Sequence, residues 1–169
     1  VKHNNPCGTA VAATLPRAFE LALACDPVSA FGGILATNRT FDVATAQAIV
    51  QSGTFLEVIV APHVEPAAVT ALQAAKWGPN VRVIDLGGMP TMALRQRFVA
   101  RPVSGGFLLQ TADFPSDAPK QDVASKRAPN DAEKKAMAFA WKVCKHVKSN
   151  AIVLARTTDD GACHTVGVG

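Results

Sequence analysis

The sequence predicts an α/β layered domain. Helical spacings alternate with short apolar runs along the first half of the chain, and proline, glycine or a capping residue bounds each run. Bulk composition agrees: 169 residues at 49% hydrophobic supply one sizeable core, or two small subdomains sharing a sheet.

Taken in order, Leu15 to Ala24 spaces its leucines, Phe19 and alanines as a helix would, with Thr14 as its N-cap and Asp26-Pro27 as its stop. Gly33 to Thr37 then reads as a strand. Asp42 caps a second helix through Gln51, which Gly53 ends, and Leu56 to Ala61 is a continuous buried-strand pattern closed by Pro62. Pro66 to Lys76 repeats the helix, Gly78 punctuates it, and Val81 to Asp85 repeats the strand. Leu94 to Val103 and Gly106 to Thr111 are apolar-containing runs around Pro102 and Gly105-Gly106, and the polar stretch from Ala112 to Ala128 is the expected exposed or mobile connector. Asn130 with Glu133 forms a capping box for a helix to about Val147, after which Ala151 to Arg156 reads as a buried strand. No repeat of solenoid length is present. The chain opens on Val1-Lys2-His3 with no element before it and closes on Thr165 to Gly169, the start of a strand and a glycine turn, so both ends are expected to be truncated.

Composition excludes several classes. No run approaches the roughly 18 apolar residues of a membrane span, and the start lacks the order of a signal peptide, so a cytoplasmic protein without membrane contact is expected. Cys7, Cys25, Cys144 and Cys163 lie far apart with no Cys-x-x-Cys pair, which argues against a disulfide framework or a zinc knuckle. The formal charge of +4 is scattered, 6% of residues are aromatic and none is tyrosine. That pattern favours small anionic ligands over nucleic acid. There is no phosphate-cradling Gly-x-x-x-x-Gly-Lys loop and no Gly-x-Ser-x-Gly elbow.

Three short stretches concentrate chemistry. Lys2-His3-Asn4-Asn5-Pro6-Cys7-Gly8 packs a base, a cation, amides and a turn together. An ammonium beside His3 disfavours a second positive charge and holds the imidazole in its basic form, which amine acylation needs. The alternative is a solvated Lys2 and a hydrogen-bonded strand-end His3. In Asp26-Pro27-Val28-Ser29-Ala30-Phe31-Gly32-Gly33, proline fixes a turn and the glycines admit a close backbone approach, room for a flat heterocycle or simply a helix-to-strand turn. Lys145-His146-Val147-Lys148-Ser149-Asn150 lies where a helix gives way to a strand; Asn150 is able to donate to an oxyanion or merely to end a helix, and the cations also suit a helix C-terminus. Glu57 charges an otherwise apolar strand, which requires a partner, a wet site or exposure at a strand end. Cys144 and His146 do not share a helical face, and Cys7 beside His3 reads as an inert cysteine.

Together, Lys2-His3-x-Asn-Pro-Cys-Gly, Asp26 through Gly33, Glu57 before Val-Ile-Val-Ala-Pro, Ser104-Gly105-Gly106, and Trp141-Lys142 through Lys148-Ser149-Asn150-Ala151 resemble, in order along nearly the whole chain, the AICAR transformylase domain of the bifunctional purine-biosynthesis enzymes in bacterial form. The resemblance implies a cytidine-deaminase-like three-layer α/β/α sandwich used without zinc, residues 1–169 forming the first such subdomain and the start of the next segment, with the IMP cyclohydrolase domain absent. It implies formyl transfer from 10-formyltetrahydrofolate to the 5-amino group of AICAR in a homodimer whose sites are shared between subunits. By the same resemblance, Lys2, His3 and Asn150 are catalytic, Phe31, Gly32 and Glu57 hold the imidazole carboxamide, Val28 lines the folate side, and no metal is bound. The family's Arg-Tyr-Gly-Glu-Asn-Pro stretch before Lys2 and its Gly-Gln-x-x-Arg segment after Gly169 are missing, which implies that the segment alone is inactive. A non-catalytic nucleotide-binding or dimerisation module is the rival reading. A zinc nucleobase deaminase of the related fold would need Pro-Cys-x-x-Cys, which the sequence lacks.

Overall fold

In a computed structural model, which describes residues 1–89, 98–112 and 122–169, the first half of the chain alternates helix and strand. After the two-residue strand β1 (Ala10–Val11) come helices α1 (Leu15–Cys25) and α2 (Pro27–Ala30), strand β2 (Gly33–Ala36), helix α3 (Val43–Ser52), strand β3 (Leu56–Ala61), helix α4 (Pro66–Leu72) and strand β4 (Arg82–Asp85). The remainder comprises the hairpin β5 (Phe98–Val103) and β6 (Gly106–Thr111), helix α5 (Asp131–Cys144), and strands β7 (Val153–Thr157) and β8 (Cys163–Val168). The fold is mixed α/β. Strands β2, β3 and β4 form a parallel sheet, while β1, β8 and β7 form an antiparallel one in that order.

Local chemistry explains the parallel unit. The Asp42 carboxylate accepts from the Thr45 amide at 2.8 Å and opens α3, and Gly53 closes it in the left-handed conformation at φ 70°. Parallel neighbours require a crossover, and α3 and α4 supply one each. These helices pack on one another, and α1 packs on α3. Phe41, Ile49, Ile59 and Leu72 at their centre are fully buried, each contributing about 1.5–3 kcal/mol by leaving water.

Helix ends depart from the sequence pattern. Helix α4 stops at Leu72 rather than Lys76, because the amides of Gln73, Ala74 and Ala75 turn to carbonyls three residues back. Gly78 then sits so close to the Leu72 carbonyl that a Cβ there would lie 2.0 Å from its oxygen. Helix α5 opens on the expected capping box, the Asn130 side chain accepting from the Glu133 amide and the Glu133 carboxylate from the Asn130 amide. It ends at Cys144, not Val147, as the His146 and Val147 amides tighten onto Val143 and Cys144. Thr14 occupies the N-cap position of α1 without a side-chain capping bond.

Strands β5 and β6 pair from Phe98↔Thr111 to Val103↔Gly106, with Gly105 at φ 83° in the connecting turn. Nearly all of their residues are exposed, including Phe98, Phe107, Leu108 and Leu109. Residues 94–97 of the first apolar-containing run lie outside the described residues, as do residues 113–121 of the predicted connector; residues 122–128 are exposed and belong to no helix or strand. Helix α5 packs on β7 and β8, and α1 packs on β8 from its own side of the chain.

Candidate functional site

Lys2 to Asn5 form a tight two-residue turn. The Lys2 amide donates to the Asn5 carbonyl at 2.9 Å, and the Asn5 amide returns the bond at 3.0 Å. His3 and Asn4 at its crest have φ of 52° and 62°, the left-handed pair that such turns demand. Histidine and asparagine tolerate that region better than most side chains, though neither is as free there as glycine. His3 is exposed. Behind the turn, Gly8 lies against α1 so tightly that a Cβ would come within 1.9 Å of the Ala22 carbonyl oxygen.

The second stretch meets the first directly. Lys2 Nζ donates to the Phe31 carbonyl at 2.6 Å, and Val1 exchanges backbone bonds with Ile34 on β2. Asp26 ends α1 and caps α2, accepting from the Ser29 amide at 2.9 Å; the Ser29 hydroxyl and then this amide hold its carboxyl below the usual carboxylate range. The sequence shows only a turn here, whereas residues 27–30 close a full helical turn. Gly32, at φ 65°, donates to the Phe55 carbonyl at 2.8 Å, and Phe31, Phe55 and Trp77 stack edge-on at centroid separations of 5.4 and 5.9 Å.

The third stretch arrives from the far end of the chain. The Lys148 amide donates to Asn5 Oδ1 at 3.0 Å and Lys148 Nζ to the His3 carbonyl at 3.0 Å, across a separation of 145 residues for the latter pair. Asn150 follows two residues later and is exposed. Lys148 thus lies beyond the end of α5 at Cys144 and is tied to the turn, not to the helix.

These bonds enclose a cleft of about 740 Å³, within the range of small-molecule sites, lined by Lys2, His3, Asp26, Ser29, Lys148 and the Gly167–Gly169 strand end, among others. Phe31 and Gly32 lie outside its lining but are tied to it through Lys2. Val28 projects from α2 at 84% exposure, and Asn150 sits beyond Lys148, both outside the lining. Glu57 is separate. It is exposed on β3 at a bulge, since adjacent Gly33 and Ile34 pair with Leu56 and Val58, and it accepts from Arg82 at 3.2 Å. Exposure and that partner explain the charge in an apolar strand.

A groove of about 870 Å³ between α5 and β7 is slightly larger, but two of its charges, Arg127 and Glu133, are spent on one another. Arg127 forks onto both Glu133 oxygens at 2.7 and 2.9 Å, and this holds the Glu133 carboxyl down at about 2. Chemistry therefore favours the smaller cleft. Among the described residues no three His, Cys, Asp or Glu side chains group to hold a metal, and no helix is long and apolar enough to cross a membrane. His164 on β8 is buried, with Nδ1 against the Thr165 carbonyl and Nε2 without a partner among the described residues. Nothing in the sequence pattern singles it out.

Comparison with known proteins then decides the family: residues 1–169, the whole chain, match the AICARFT/IMPCHase bienzyme family. The chain belongs to that family. Curated relatives of this AICARFT/IMPCHase chain include the bifunctional purine biosynthesis protein PurH of Myxococcus xanthus, 50% identical over 92% of this chain. The PurH proteins of Xanthomonas campestris and Brucella ovis are 46% and 47% identical over 100% of it. In each case the chain spans 30% of the relative's length.

Proposed function

We propose that this chain carries part of a formyl-transfer site of de novo purine biosynthesis, which moves the formyl group of 10-formyltetrahydrofolate onto the 5-amino group of AICAR to give formyl-AICAR and tetrahydrofolate. The observation that carries the reading is convergence: the Lys2–Asn5 turn, the Asp26–Gly33 segment and the Lys148 loop, distant in sequence, are hydrogen-bonded around one cleft. Membership of the family and the relatives' role in purine biosynthesis support it.

The roles follow from the chemistry of each group. The amine of AICAR is a weak nucleophile, because its lone pair is delocalised into the ring. His3 takes the proton that this amine sheds as it bonds to the formyl carbon, a contribution of about a hundred- to ten-thousand-fold for a placed base. Asn150 donates to the formyl oxygen as it becomes anionic, typically worth about 2.7–4 kcal/mol. Lys2 spends one ammonium hydrogen on Phe31 and keeps two to manage charge on the folate side, where the bond between the folate nitrogen and the formyl carbon breaks and that nitrogen takes up a proton as tetrahydrofolate leaves. Phe31, Gly32 and Glu57 position the imidazole carboxamide, and Val28, exposed on α2, lines the folate side. 10-Formyltetrahydrofolate supplies the formyl carbon and needs no metal in this scheme.

In this reading the mixed α/β fold is a cytidine-deaminase-like three-layer sandwich, residues 1–169 are its first subdomain with the start of the next, and the intact protein is a cytoplasmic homodimer without nucleic-acid or membrane partners. In this reading the chain, which spans 30% of its relatives' length, needs the rest of that length for activity. A second reading, a non-catalytic nucleotide-binding or dimerisation module, draws on the exposed apolar face of β5 and β6. Formyl transfer to AICAR, assayed in a protein extended to the relatives' full length, tests the first. Activity that falls at least a hundredfold in His3→Ala is the expected result. A folded extended protein without transfer activity overturns the proposal and leaves the module.

A further inference from the structure

We infer that Lys148 and Asn5 are positioning residues, a two-bond clip that fixes the turn carrying His3 against the loop carrying Asn150. The inference rests on the reading above, in which those two side chains act on the same reacting group.

The clip joins backbone as well as side chain. Lys148 Nζ donates to the peptide carbonyl of His3 itself, at the crest of the turn, and the Lys148 amide donates to the side chain of Asn5 at its foot. The crest and one foot of the turn are thus bonded to one residue. That turn holds two non-glycine residues at positive φ, a conformation that persists only where surrounding contacts over-determine it. Its other restraints are the paired Lys2 and Asn5 backbone within the turn, the Lys2 bond to Phe31 and the Val1 bonds to Ile34 of β2, and none of these reaches the loop of Asn150.

From Lys148 to Asn150 only Ser149 intervenes, so the clip anchors the backbone that carries Asn150 two residues from its attachment to the His3 peptide. Lys148 is exposed, and its two bonds face solvent. Exposed polar bonds add little to global stability, whereas a catalytic pair displaced by about 1 Å loses on the order of a hundredfold in rate. The clip is built for alignment, not for holding the fold.

A substrate ligand at position 148 would behave differently from a clip. Loss of a group that binds substrate and transition state alike raises KM and leaves kcat, while loss of alignment lowers kcat and leaves KM. The test uses the extended, full-length protein with Lys148→Met, Asn5→Ala, the double variant, Lys148→Arg and His3→Ala, each followed for kcat, KM for both substrates, and thermal unfolding.

Lys148→Met is expected to lower kcat about ten- to a hundredfold with KM within about threefold and Tm unchanged, and Lys148→Arg, which keeps a donor for the His3 carbonyl, to restore most of it. Asn5→Ala lowers kcat less, and the double variant is no worse than Lys148→Met alone, because the two bonds act as a unit. Full kcat in Lys148→Met beside an inactive His3→Ala overturns the clip and leaves the formyl-transfer reading intact. So does a rise in KM at constant kcat, or a fall in Tm that Lys148→Arg fails to repair. Full activity in His3→Ala overturns the clip and the active-site reading together. If Lys148→Met does not fold, Asn5→Ala carries the same test, and an unchanged kcat there overturns the clip.

Discussion

Between β2 and β4 the chain is held by buried apolar side chains, and around the Lys2–Asn5 turn by polar bonds that face water. Phe41, Ile49, Ile59 and Leu72 have no solvent contact, whereas His3, Lys148 and Asn150 are all exposed. The first region cannot shift without opening a cavity; the second can re-form its bonds to water at small cost in free energy. Substitutions should therefore separate the two. Changes in the parallel unit remove folded protein, and changes at the cleft remove alignment from protein that stays folded.

The largest expected effect tests the packed side. Phe41→Ala should cost about 3–5 kcal/mol in urea unfolding, with activity per folded molecule preserved in the extended protein. An equal loss of activity among the folded molecules would break the separation. Gly8→Ala addresses the joint between the regions, since its methyl would meet the backbone of α1 and displace the segment leading to the turn. It should cost about 1–3 kcal/mol and also lower kcat, the one substitution here expected to do both.

The smallest effect concerns acid. The Glu133 carboxyl sits at about 2 against an ordinary 4.5, held down first by the Arg127 guanidinium and then by the Asn130 amide. Because the unfolded chain binds this proton more readily, the contribution is complete above pH 4.5 and is lost as pH falls from there through about 2. The group is exposed, so the change is modest. Tm measured from pH 6 to pH 2 should fall less steeply in Glu133→Gln than in the parent chain, and identical slopes would show that the capping box does not depend on the charge.

Elements with their own local signals are legible in the sequence alone: Asp42 and Gly53 bound α3, Leu56 to Ala61 is β3 residue for residue, and Asn130 with Glu133 opens α5. Elements that depend on distant partners are not. β1 is two residues long, too short for alternation to register, and exists because β8 lies beside it. The ends of α4 and α5 are set by tightened turns, which periodicity does not encode. At the site, residue type pointed to Lys2 and His3, and the structure puts both in one cleft with Lys148. The role of Lys148 was hidden, because a lysine near a helix end already has an explanation in the macrodipole. Glu57 is the converse case: its charge stands out in an apolar run, and of the explanations open in the sequence the structure shows exposure at a bulge and an Arg82 partner.

The β5–β6 hairpin governs how the chain behaves as a solute. Among the described residues β5 and β6 pair only with each other, which leaves backbone amide and carbonyl groups along the edges of the ribbon, and Phe107, Leu108 and Leu109 add an oily surface beside them. Pro102, which lacks an N–H, and the neighbouring Arg101 blunt one edge only. Colloidal stability of this chain therefore rests on its net positive charge, and salt that screens the charge leaves the ribbon as the sticky surface that drives molecules together.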